Sequence, residues 1–147
     1  MILKDSFTVD APIDKVWDFF QDIPRLSACI PGIEEVEEIE PDVFRGVMKV
    51  KVGPLSARFS GQVKVLERVA PERLVALVEG EDSSSASSAK ATFTGVLIEE
   101  GSGTRLEYET DVSMRGRLAQ FGFAVIRGTA KKMTGIFAKN LQEALNT

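Results

Sequence analysis

Histidine is absent from this sequence of 147 residues, and cysteine occurs once, as Cys29. Without histidine there is no Ser-His-Asp or Cys-His relay, no imidazole base and no histidine-ligated metal. A single cysteine excludes an internal disulfide bond and a CxxC zinc or iron–sulfur site. We therefore expect no metal and no cofactor, and we assign no catalytic residue, although an enzymatic function stays open at this point.

Long apolar runs and an excess of basic residues are lacking as well. No segment approaches the roughly 18–20 consecutive apolar residues of a membrane span, and the start, Met1–Asp5, is unlike a signal peptide. The net charge of −4 argues against nucleic acid as a partner. We expect a cytoplasmic protein, with peripheral contact to the inner face of the membrane left open, built as one domain over residues 1–147.

The first third of the chain predicts a strand followed by two short helices. The strand covers Leu3–Val9, and the first helix begins near Pro12 and ends near Asp22. A second short helix or turn covers Arg25–Cys29.

A period of two from Ile33 to Gly116 predicts six further strands in an antiparallel meander. The clearest strands are predicted at Val43–Val52, Leu55–Leu66, Ala86–Ile98 and Thr104–Met114. From there the period becomes helical, and it predicts one long helix over Leu118–Leu145.

Apolar side chains on one broad face of this long helix, Val125 and Ile136 among them, are expected to pack on the sheet. The fold class is therefore α+β. A seven-stranded antiparallel sheet wraps a long C-terminal helix, with two short helices after the first strand.

Four segments give the chain a family resemblance: Val9–Pro12, Ala28–Gly32, Gly116–Gly122 and Phe137–Leu141. The chain resembles the CoxG family of carbon monoxide dehydrogenase, which is part of the START-like (SRPBCC) helix-grip superfamily. The resemblance implies a non-catalytic accessory of a molybdenum-containing hydroxylase of the carbon monoxide dehydrogenase type. It also implies a hydrophobic ligand such as a quinone or lipid, and a role in membrane recruitment of the enzyme or electron hand-off.

Small residues mixed with bulky ones at inward strand positions leave two interpretations open. Gly61, Ala91 and Gly95 either leave a cavity or mark bulges in a solid core. Tyr108, the clearest inward polar side chain, either hydrogen-bonds a ligand carbonyl or is a core tyrosine. A cavity would be lined by Phe44, Met48, Phe59, Phe93, Tyr108, Met114, Leu118, Gly122, Met133 and Phe137.

Charge is divided unevenly along the chain. Residues 1–114 hold 12 basic and 21 acidic residues, a net charge of −9, whereas residues 115–147 hold six and one, a net charge of +5. Helix stability and solubility explain such a basic helix, and so does an anionic membrane or acidic protein partner. The predicted membrane or partner surface comprises Arg117, Phe121, Arg127, Lys131 and Lys139.

Three functions remain open at this point. The first is a binding module for a lipophilic small molecule that works with molybdenum hydroxylase subunits. The second is an enzyme of the polyketide cyclase or hydrolase kind, using Tyr108 in the same cavity. The third is an assembly or recruitment factor whose cavity is incidental. No acid–base pair is evident in the sequence, which makes the second the weaker one.

Overall fold

The computed structural model describes residues 1–146, in which seven strands, two short helices and one long helix follow each other. A 3-10 helix, Arg117–Gln120, precedes the long helix. The bounds are β1 Ile2–Val9, α1 Ile13–Gln21, α2 Ile23–Ser27, β2 Ile33–Glu40, β3 Val43–Val52, β4 Leu55–Val69, β5 Arg73–Asp82, β6 Ser87–Glu100, β7 Gly103–Arg115 and α3 Phe123–Leu145. No helix within residues 1–146 combines the length and the hydrophobicity needed to cross a membrane.

All seven strands form one antiparallel sheet in the order β1-β7-β6-β5-β4-β3-β2. The predicted α+β fold, with its sheet curved around a C-terminal helix, is confirmed. The predicted bounds of β3 match the structure, whereas β4 continues past Leu66 to Val69. The pairing of β4 with β5 shifts register between Val65 and Glu67, so the period of two breaks there while the strand continues.

Three glycines lie side by side across the middle of the sheet. Gly46 on β3 pairs with Gly61 on β4, which pairs with Gly80 on β5. A side chain at Gly61 would overlap the carbonyl oxygen of Glu79, so only glycine allows this close approach of the two backbones. The row removes side-chain bulk from the centre of the concave face.

The two short helices meet at Asp22. Its carboxylate accepts a hydrogen bond from the backbone N–H of Arg25, which caps α2. Helix α2 begins at Ile23, two residues before the prediction, because Pro24 is tolerated in the first turn of a helix.

The long helix starts later than the sequence pattern predicts. Phe121 and Gly122 have extended backbones, with ψ of 135° and 166°, and they separate the 3-10 helix from α3. The prediction of a continuous helix from Leu118 was wrong. Glycine costs about 1 kcal/mol inside a helix but is accepted at its N-cap, the position that Gly122 takes.

Buried side chains form three clusters. The first joins β1, α1 and the C-terminal end of α3 around Leu141, and the second lies under α2 around Ile23. The third cluster, at the N-terminal end of α3, contains Val52, Leu118 and Ile126. Apolar packing therefore anchors α3 at both ends, while its middle passes over the concave face of the sheet.

Candidate functional site

The centre of the concave face is incompletely filled. Val78 on β5 points to this face between Val63 and Ala91, yet 37% of its surface is exposed. Helix α3 makes its main contacts with β1, β3 and α1 rather than with β5. Since protein interiors are normally close-packed, an inward valine this open shows that α3 leaves part of the concave face uncovered.

One polar contact joins the middle of α3 to the sheet. The Tyr108 hydroxyl on β7 is hydrogen-bonded to Oγ1 of Thr134 on α3. Because the Thr134 hydroxyl donates to the carbonyl oxygen of Ala130 at 3.0 Å, the tyrosine is the donor. The Phe93 ring lies 5.8 Å from the Tyr108 ring, centroid to centroid.

Burial raises the pKa of Tyr108 above its ordinary value. The hydrogen bond with Thr134 opposes this shift, and the negative charge of Asp5 reinforces it. Asp5 lies opposite Tyr108 in the register of β1 and β7, so it shares the concave face. Tyr108 is therefore protonated at neutral pH and able to donate.

A cleft of about 610 Å³ opens at the edge of the sheet beside α3. Pairing of β2 with β3 begins at Ile33, opposite Met48, so that the end of β3 is a sheet edge. The backbone N–H of Lys49 donates to the carbonyl oxygen of Gly32, which closes one end of the cleft. The lining comprises Pro31, Gly32, Lys49, Val50, Lys51, Gly53, Val125, Gly128, Thr129, Lys132, Met133 and Ile136.

Two apolar residues of α3 differ from their predicted position. Val125 and Ile136 were expected to pack on the sheet, but they are 44% and 40% exposed. They face the cleft because β2 begins only at Ile33, so that it leaves the end of β3 beside this flank of the helix unpaired. The sequence pattern identified an apolar sector of α3 without showing how much of the sector the sheet covers.

The predicted cavity residues lie in different surroundings. Of the ten, Met133 lines the cleft. Five are half-buried strand residues whose side chains face the concave side: Met48, Phe59, Phe93, Tyr108 and Met114.

The other four predicted cavity residues do not line the cleft. Phe44 and Leu118 are fully buried in the second and third clusters. Phe137 packs edge-to-face on Phe7, with centroids 5.8 Å apart. Gly122 is exposed at the start of α3.

The predicted surface residues are mostly exposed. Arg117, Arg127, Lys131 and Lys139 are open to solvent, whereas Phe121 is half-buried against the third cluster. The single cysteine, Cys29, is 5% exposed, and burial raises the pKa of its thiol.

Sequence reasoning missed the lysines of the cleft, Lys49, Lys51 and Lys132. Alternation places Lys49 and Lys51 on the convex side of β3, away from any cavity. The available signal was the Pro31-Gly32 turn, because it fixes where β2 can start and hence where β3 becomes an edge.

Comparison with known proteins agrees with this fold. The model of the carbon monoxide dehydrogenase CoxG family matches residues 6–146. A conserved protein from Geobacillus kaustophilus is similar in structure, with a TM-score of 0.90 at 22% identity over 99% of this chain and 95% of that one. A START superfamily protein from Mycobacterium smegmatis has a TM-score of 0.75 at 14% identity, over 99% and 97%. No curated protein sequence matches the chain.

Proposed function

The chain belongs to the CoxG family of carbon monoxide dehydrogenase, and from this membership we propose that it binds a lipophilic molecule of quinone or lipid type. The ligand lies between α3 and the concave face of the sheet. The single observation that carries the proposal is the open space in front of Val78, which an apolar guest would fill.

The proposed partner is a molybdenum hydroxylase of the carbon monoxide dehydrogenase type. The family name supports this association. In this role the protein helps to recruit the enzyme to the membrane, or it helps to pass the electrons of the enzyme to the bound quinone. The exposed cations Arg127, Lys131 and Lys139, with Arg117 and the half-buried Phe121, are the proposed surface for the enzyme or the membrane.

A non-catalytic role is favoured over a cyclase or hydrolase. Such an enzyme would use the Tyr108 hydroxyl as an acid, but that proton is already donated to Thr134. Tyr108 instead serves as a hydrogen-bond donor. When a ligand binds, the tyrosine hydroxyl gives up the hydrogen bond to Thr134 and donates to a carbonyl oxygen of the ligand.

Blocking the space in front of Val78 tests the proposal. The Val78→Trp variant places an indole in that space, and Ile98→Trp is its control. Ile98 is a similar side chain, 40% exposed, on the convex face of β6. Binding is followed by Nile red fluorescence and by displacement of the dye with a short-chain isoprenoid quinone.

We expect Val78→Trp to weaken quinone binding by about tenfold or more, a change of about 1.4 kcal/mol, while Ile98→Trp binds like the wild type. Wild-type protein that binds neither dye nor quinone would contradict the proposal. Equal weakening by both substitutions would contradict the assigned location.

A further inference from the structure

The charge of the cleft is opposite to that of the chain. The whole sequence has 22 acidic and 18 basic residues, yet the lining of the cleft has three lysines and no acidic residue. Lys49 is paired with Glu34 at 2.9 Å. Within residues 1–146, the exposed Lys51 and Lys132 form no ion pair, so both positive charges beside the cleft are available to an anion.

The rest of the lining is largely apolar. Val50 and Met133 form the inner part, and Val125 and Ile136 add exposed apolar surface from α3. Covering this surface would be favourable, because it removes apolar area from water. The cleft thus combines apolar walls with positive charge.

We infer that the cleft binds the anionic head of a lipophilic acid between Lys51 and Lys132, with the chain of the acid along the apolar wall towards Met133. The inference rests on the proposed function and adds lipophilic acids, as a lipid-type ligand, to the quinone tested above. A volume of about 610 Å³ falls within the range of roughly 300–1,000 Å³ typical of small-molecule sites. Lysine suits the task because its flexible stem packs on apolar surface while the ammonium group follows the head group.

Two ligands that differ only in the head group test this inference. Dodecanoate and dodecanol have the same chain length, but only the acid is charged at neutral pH. We expect the wild-type chain to bind dodecanoate about tenfold more tightly than dodecanol, measured by displacement of Nile red. The preference should shrink as salt is added, because ions screen exposed charges.

The double variant Lys51→Met, Lys132→Met keeps the apolar stems and removes the two charges. It should bind dodecanol like the wild type and lose its preference for the acid. Lys64→Met is the matched control, since Lys64 is an exposed lysine of β4 that does not line the cleft. This control should keep the preference.

The outcomes separate the inference from the proposed function. Equal binding of the two ligands by the wild type would overturn the acidic ligand while leaving a lipophilic one supported. An unchanged preference for dodecanoate in the double variant would overturn the position of the head group between Lys51 and Lys132. Wild-type protein that binds neither ligand would overturn both. Unchanged dodecanol binding by the double variant shows that its fold is intact.

Discussion

At the scale of single residues, Tyr108 determines how the middle of α3 is held. Its hydrogen bond with Thr134 joins helix and sheet where apolar packing is sparse. A net hydrogen bond contributes about 0.5–1.5 kcal/mol, so this tie is weak enough for a ligand with an acceptor to replace it. Under the proposed function, Tyr108 would link the position of the helix to the binding of a ligand.

Tyr108 is the only tyrosine in the chain, so its ionisation can be followed directly by the ultraviolet absorbance of tyrosinate. Burial raises its pKa, and we predict a higher titration midpoint in native protein than in urea-unfolded protein. The folded state holds this proton more tightly. Its stabilising contribution is therefore complete below the unfolded pKa and is lost as pH rises through the folded pKa.

If Tyr108 titrates in the native protein at or below its midpoint in the unfolded chain, its hydroxyl is more exposed to solvent than the structure shows. The Tyr108→Phe variant gives the background, because it retains every other titrating group.

At the scale of elements, a network of buried polar groups holds the 3-10 helix to the hairpin of β5 and β6. The Ser85 hydroxyl donates to the Asp82 carboxylate at 2.7 Å, and the backbone N–H of Leu118 donates to the Ser87 hydroxyl at 3.1 Å. The hydroxyl oxygens of Ser85 and Ser87 lie 2.9 Å apart. The serine-rich stretch is thus a structural anchor that fixes where α3 starts.

The Ser87→Ala substitution should destabilise the fold by about 1–3 kcal/mol, because it leaves the buried N–H of Leu118 without an acceptor. Ser83→Ala, in the same turn but exposed, should change stability by less than about 0.5 kcal/mol. Urea unfolding of the two variants and the wild type measures both effects. A cost at Ser87 no larger than at Ser83 would mean that the network does not hold the 3-10 helix.

The elements also show what the sequence could predict. Strand β3 was placed correctly because its alternation ends sharply at Gly53-Pro54. The start of α3 was misplaced because the residues of the 3-10 helix fit a helical period equally well, and the buried contact of Leu118 with Ser87 is not visible in the pattern. The exposure of Val125 depends on where β2 begins, a tertiary feature that helical periodicity does not carry.

At the scale of the whole molecule, curvature and anchoring combine to leave part of the concave face uncovered. The glycine row of β3, β4 and β5 lowers the bulk of the concave face, and the clusters at the two ends of α3 hold the helix across it. The sequence predicted this architecture together with several inward aromatics. It did not predict the basic cleft, because the uncovered edge of β3 arises only when β2 and α3 are in place.

Native mass spectrometry of the chain, purified without detergent and then incubated with a short-chain isoprenoid quinone, tests the central claim most directly. The account predicts a complex of one protein and one lipophilic molecule for the wild type and for Ile98→Trp, and a strongly reduced complex for Val78→Trp. The mass of the polypeptide alone in all three samples, before and after incubation, would contradict a ligand between α3 and the sheet.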